Sequence, residues 1–379
     1  MTSRSTFGFS VPSDFGECDV PVSLPGSNPT ATFCEPRSQR LGHWSGTSLA
    51  GDVDHASSFV GGINPSFQLD SGAVGVGPSI TLPFRNNIPL AEITGVSPLA
   101  QGGFCVVCSC VYRGQRAVLK VPKAEGPQGT VADLLVEIDI YRRISARGGN
   151  VSIARAFGTG LHFQNGEQLP FLLLERLDGG TLADAIERIR PPGDVAWVDP
   201  RPRLPVALEI ANALAFLHND AIPGGFILHR DLKPTNIGLC AQGHVKVYDF
   251  GLSALREVRG GRDNKYQMAG VAGSKRFMAP EVCNNLQYNE KADVYSFGIV
   301  MWEICALRKP FSGMGVADHY REVVVGGLRP HLDSRWPTVL NQLLNSCWHP
   351  DPDRRPSMVE ARETLRELVA GRSGCAVQR

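Results

Sequence analysis

The chain has 379 residues, more than one average domain needs, and 42% of them are hydrophobic, enough for a sizeable core. Lys and Arg total 38 against 37 Asp and Glu, a formal charge of +1, which gives no global electrostatic footprint for nucleic acid or an anionic membrane. No apolar run reaches the roughly 18 to 20 residues that span a bilayer, since the best one, Phe297 to Leu307, is short and broken by Glu303.

Residues 1–87 are rich in Ser, Gly, Pro and Thr and hold no sustained period of a strand or helix. Such a composition buries too little apolar surface to offset the entropy of ordering, and a mostly disordered tail is expected. Met1 to Gly16 lacks the apolar region of a signal peptide, Thr2 stands where myristoylation requires glycine, and Cys375 is misplaced for prenylation. Ten cysteines without a secretion signal point to free thiols in a reducing, cytoplasmic setting.

From Ile88 the texture changes. Phe104 to Tyr112 and Arg116 to Val121 are β-rich runs separated by Gly114, the pattern of an antiparallel hairpin. In the first run Cys108 and Cys110 share one face and Cys105 the other, and no second ligand pair follows, so a structural zinc is not expected. Leu134, Leu135, Ile138, Tyr141 and Ile144 are spaced as the apolar stripe of a helix over 131–144. Phe171 to Leu174 is an apolar strand ending at Glu175, and Asp178-Gly179-Gly180-Thr181 turns into a helix at Leu182. Helical patterns then dominate, at 204–218, 291–307, 318–325 and 337–347. The Pro-rich insertion Arg190 to Arg203, with Trp197, lies between the helix from Leu182 and that from Leu204, as an exposed excursion or, alternatively, a docking loop.

The chemistry concentrates in His229-Arg230-Asp231-Leu232-Lys233-Pro234-Thr235-Asn236 and, thirteen residues on, Asp249-Phe250-Gly251. Two carboxylates, an ammonium and a carboxamide suit phosphoryl transfer, which needs a carboxylate to orient an attacking hydroxyl and oxygen ligands for a hard cation. In order and spacing these residues resemble the catalytic and metal-binding loops of protein kinases. Asp293-Val294-Tyr295-Ser296-Phe297-Gly298 and Cys347-Trp348-His349-Pro350-Asp351-Pro352 resemble the tyrosine-kinase-like group of serine/threonine kinases.

The resemblance implies an α+β, bilobal protein-kinase fold over 88–370, with a small antiparallel-sheet lobe and one helix (88–174), a hinge (175–180) and a larger, mainly helical lobe (181–370). A disordered N-terminal tail and a short C-terminal tail (371–379) flank it. It implies ATP and Mg2+ as cofactors and Ser/Thr-bearing proteins as substrates, with no nucleic-acid or membrane partner; oligomeric state is left open. Lys120, ending Ala117-Val118-Leu119-Lys120, would hold the α- and β-phosphates, braced by Glu137, with Asp133 and Asp139 as competing candidates. Asp231 would be the base, Lys233 would neutralise the transferred group, and Asn236 and Asp249 would ligate the metal. Leu99, Gly102, Gly103, Phe104, Val107, Ala117, Glu175, Leu177 and Leu239 would line the nucleotide site. His229 and Phe250 would stack beneath the helix carrying Glu137 and Tyr141. Ser274, in Gly273 to Glu281, would contact Asp231 and Lys233, Glu281 would pair with Arg355, and Asp293 would accept backbone hydrogen bonds from the catalytic loop.

The chain departs from the family pattern in three places. In the phosphate-covering loop Ala100 and Cys105 replace the outer glycines, where a side chain at positive φ would cost on the order of 1–2 kcal/mol. Cys105 has two readings there, a reactive thiol of lowered pKa or an inert strand cysteine. Gly238 stands where the family carries an apolar floor beneath the adenine, a loss of roughly 1–2 kcal/mol unless Leu177 or Leu239 fills the gap. Between Ser253 and Ser274 the only hydroxyl is Tyr266, so switching by Ser/Thr phosphorylation at the usual place, with Arg230 as receiver, is not expected. The alternative to an active kinase is a pseudokinase scaffold with weakened nucleotide binding. A small-molecule phosphotransferase is set aside because the stretch from Asp249 to Glu281 has the makings of a protein-substrate platform.

Overall fold

A computed structural model describes residues 83–101, 105–123, 130–164, 166–192, 198–257, 264–268 and 273–371. Most of the 1–87 tail, Gly102, Gly103, Phe104 and Trp197 lie outside the described residues, as does part of the segment between Ser253 and Ser274.

Five strands build one antiparallel sheet in the order β1-β2-β3-β5-β4: β1 Ile93–Gln101, β2 Cys105–Tyr112, β3 Gln115–Pro122, β4 Ala156–Gln164 and β5 Glu167–Glu175. The β2–β3 hairpin closes on Arg113-Gly114, both at positive φ (49° and 77°), as a two-residue turn requires. Between β3 and β4 runs helix α1, Thr130–Ala146, whose Leu134, Ile138, Tyr141 and Ile144 are buried while Leu135 is half exposed. The expected apolar stripe therefore lies against the core except at that flank.

Past the sheet come α2 Leu182–Ile189, α3 Leu204–Asn219, α4 Pro280–Cys283, α5 Lys291–Ala306, α6 Val316–His319, α7 Thr338–Cys347 and α8 Met358–Val369. Short strands β6 Gly225–Leu228 and β9 Ala254–Glu257 pair with each other, as do β7 Ile237–Leu239 and β8 Val245–Val247. Thr181 caps α2 and Ser357 caps α8, each with the reciprocal box to Asp184 or Glu360, worth about 1 kcal/mol apiece. Helix α5 is apolar nearly all round, and every residue from Ala292 to Cys305 is buried, which makes it the axle of the larger lobe. Arg355 is wholly buried and forks onto Glu281 with bonds of 2.6 and 2.9 Å. None of the described helices is long and apolar enough to cross a membrane.

Candidate active site

The site lies where the sheet meets the helical lobe, and each polar group is held by an element with an apolar face elsewhere. Lys120 sits in β3, whose alternation buries Ala117 and Leu119 in the core of the sheet. Its Nζ meets Glu137 Oε2 of α1 at 2.6 Å and Asp249 Oδ1 at 2.8 Å. Lys120 therefore pairs with Glu137 rather than Asp133, while Asp139 faces Arg142 and Arg143 on the exposed side of α1. Burial alone would lower the Lys120 pKa, but the Glu137 and Asp249 carboxylates outweigh it and raise it, so the ammonium stays charged. For Asp249, burial acts upward and Lys120 more than offsets it, holding the carboxyl below its ordinary value.

Residues 229–236 form a loop pinned from below. Asp293, buried at the start of α5, accepts from the backbone N–H of His229 (2.8 Å) and of Arg230 (2.9 Å), and lies 3.0 Å from His218 Nε2. Arg230 holds φ 67°, a strain that these paired bonds help to offset. Asp231 Oδ1 accepts the Ser274 N–H at 2.7 Å; its Oδ2 accepts Lys233 Nζ at 2.8 Å and Asn236 Nδ2 at 3.1 Å. Lys233 Nζ also donates to Ser274 Oγ at 2.8 Å. Phe250 packs edge-on against Tyr141 (5.1 Å between rings) and tilted against His229 (5.3 Å), joining the Asp249 turn to α1 and to the loop.

Of the nucleotide-site candidates, Ala117 is fully buried and opposite Glu175 in the β3–β5 ladder, and Val107 is opposite Lys120 in the β2–β3 ladder. Leu99 is about half exposed on β1. Leu239 is buried in β7, its backbone bonded to Gly179 and Gly180 just before α2. Glu175, at the end of β5, is fixed by Lys246 at 2.6 Å and by the Arg155 N–H at 2.6 Å, partners that no sequence signal marked.

Two points that the sequence leaves open are decided by the packing. Gly238 does not leave a hole: a Cβ there would lie 2.4 Å from Leu177 Cδ1 and 3.1 Å from its Cβ, so Leu177 already occupies the space. Cys105 lacks the lowered pKa of a reactive thiol, because burial pushes it up to about 11 despite the nearby Lys120.

Arg230 donates through Nε to the Tyr288 hydroxyl at 2.8 Å, and Tyr288 exchanges backbone hydrogen bonds with Tyr266. Sequence reasoning missed Tyr288, which lies in an unremarkable loop before α5.

An antiparallel sheet with one helix, set above a helical lobe with a Lys–Glu–Asp cluster at the junction, defines a protein kinase fold. Residues 93–365 match the model of the protein tyrosine and serine/threonine kinase family, and the chain belongs to that family. It is 30% identical over 303 residues to a probable serine/threonine-protein kinase of Dictyostelium discoideum, covering 79% of this chain and 30% of that protein. Human mitogen-activated protein kinase kinase kinase 7 is 30% identical over 295 residues, covering 77% and 44%. The serine/threonine-protein kinase VIK of Arabidopsis thaliana is 29% identical over 283 residues, covering 73% and 60%. The chain thus spans less than two thirds of the length of these relatives.

Proposed function

We propose that this chain is an active kinase that transfers the terminal phosphoryl group of ATP to Ser and Thr hydroxyls of proteins in signal transduction. The observation that carries the proposal is the assembled cluster: Lys120 touches Glu137 and Asp249 at once, while Asp231, Lys233 and Asn236 meet around one carboxylate. In this reading Asp231 orients the attacking hydroxyl and takes up its proton, and Lys233 neutralises the charge developing on the transferred group. Lys120, braced by Glu137, aligns the phosphates.

The donor set fits Mg2+. Asn236 commits its amide nitrogen to Asp231, so its carboxamide oxygen is the atom to face a cation; Asp249 uses Oδ1 on Lys120 and keeps Oδ2. Two oxygen donors suit an ion that keeps waters and shares phosphate oxygens. When bound, the ion would screen the charge of the triphosphate.

The contact of Ser274 with Lys233, and relatives named as serine/threonine kinases, favour Ser/Thr substrates over Tyr. The filled space at Gly238 favours the enzyme over the scaffold. We include a kinase domain of 88–370 and a cytoplasmic location in the proposal; the seven described cysteines are free thiols, as a reducing compartment allows.

The test is Mg2+-dependent ATP turnover on a generic basic protein with phosphoamino-acid analysis. Asp231→Asn is expected to lower kcat by about 100-fold or more, with phosphate on Ser and Thr in the wild type. Equal residual turnover in both proteins would reject the enzyme in favour of the scaffold.

A further inference from the structure

The family match begins at residue 93, yet the described structure begins at residue 83. Residues 84–92 lie along the outer edge of β4. Arg85 N–H donates to Phe157 O (3.1 Å), Thr159 N–H to Arg85 O (2.9 Å) and Ile88 N–H to Thr159 O (2.9 Å), so the segment pairs with an edge strand that would otherwise stay open.

The strand is shaped for this. A Cβ on Gly158 would meet Arg85 O at 2.1 Å, and one on Gly160 would meet Ile88 O at 2.3 Å, so these two glycines form a track on which the backbone rests. Arg85 locks the segment from the other side, donating to Glu92 (2.8 Å) and to the buried Tyr112 hydroxyl (2.7 Å), while Glu92 also takes Arg113 of the hairpin turn.

The same segment reaches α1. Arg142 Nε donates to Asn86 Oδ1 at 3.0 Å, and its guanidinium lies 5.7 Å from the centre of the Phe84 ring, which packs against the core cluster containing Ile138 and Tyr141. Arg142 stands five residues after Glu137 on one rigid helix. The remaining contacts of Arg142, to Asp139, are local to the helix and fix nothing outside it.

We propose that residues 84–92 are a positioning strap: seated on the Gly158–Gly160 track and holding Arg142, they set the placement of α1 and so of Glu137 against Lys120. The proposal rests on the kinase reading, because the consequence of placing Glu137 is phosphate alignment by Lys120. None of the strap residues touches the reacting groups; they act through α1.

The experiment uses the full chain with Phe84→Ala, Arg142→Ala and Arg142→Lys, alone and in a Glu137→Gln background. It measures kcat and KM for ATP well below the melting temperature, and amide hydrogen exchange across residues 130–146. Phe84→Ala and Arg142→Ala are expected to lower kcat/KM for ATP about fivefold and to speed exchange in α1, with part of the loss recovered by Arg142→Lys. In the Glu137→Gln background Arg142→Ala should cost nothing further, since its effect passes through that carboxylate. A full additional loss in that background, or a lowered melting temperature with unchanged kcat/KM, would overturn the positioning role. If the wild type shows no turnover, the kinase reading fails by itself; the strap is then judged by exchange, and unchanged α1 protection in both alanine variants rejects it.

Discussion

Gly238 offers the sharpest quantitative test, because the contact that replaces its side chain comes from a different element. A methyl group added there would sit 2.4 Å from Leu177 Cδ1, 3.1 Å from Cβ and 3.3 Å from Cγ. The Cδ1 methyl can swing aside by a rotamer change, but the Leu177 Cβ moves only with the hinge backbone. Gly238→Ala should therefore cost toward the lower end of the overpacking range of about 1–3 kcal/mol. If that strain is felt mainly in the nucleotide-competent state, KM for ATP rises roughly five- to tenfold at about 1.4 kcal/mol per tenfold. Leu177→Ala removes a partly buried side chain and should weaken nucleotide binding by about 1–2 kcal/mol. The Gly238→Ala/Leu177→Ala double variant puts a methyl group into space that the leucine has vacated, so its loss should fall short of the sum of the singles by at least about 1 kcal/mol. The assays are KM for ATP and the Mg2+-dependent nucleotide-induced melting shift, measured for all four proteins. Additivity within about 0.5 kcal/mol, or tighter ATP binding by Gly238→Ala alone, would refute the assignment of Leu177 to this space.

Two predictions concern the scaffold. Arg355→Ala would leave the Glu281 carboxylate in the interior without its forked partner, and the denaturation midpoint should fall by an amount equivalent to about 3–5 kcal/mol at unchanged slope. Glu303 in α5 is raised by burial to about 7 from its ordinary 4.5, and its Oε2 has no hydrogen-bond partner. Between those values the unfolded chain has lost the proton that the folded chain keeps, so this group makes stability fall as pH rises from 4.5 to about 7, and no further beyond. Glu303→Gln should remove that slope, gaining up to about 3 kcal/mol at pH 8 relative to pH 4. Urea melts at the two pH values check it, and a gain equal at both would show that the carboxyl does not titrate in this window.

Much of the fold was legible because its signals are local. The β2–β3 hairpin, the stripe of α1, the cap at Thr181 and the apolar run of α5 each follow from residues a few positions apart, and the structure places elements within a few residues of where those patterns lie. The motifs around Asp231 and Asp249 were legible for the same reason. Less was visible in β6 to β9, whose three- and four-residue strands are too short to show a period.

The sequence by itself determined which groups are present and on which elements: a lysine on β3, a carboxylate on α1, and a loop rich in donors and acceptors. The tertiary structure decided who meets whom. Glu137 rather than Asp133 reaches Lys120 because α1 turns that face to the sheet, and Tyr288 holds Arg230 across fifty-eight positions of chain. Leu177 fills the space at Gly238, and residues 84–88 find two glycines on β4. Such choices depend on distances set by packing across elements, and a missing side chain in the sequence is a deficit or a fit only according to what stands opposite it.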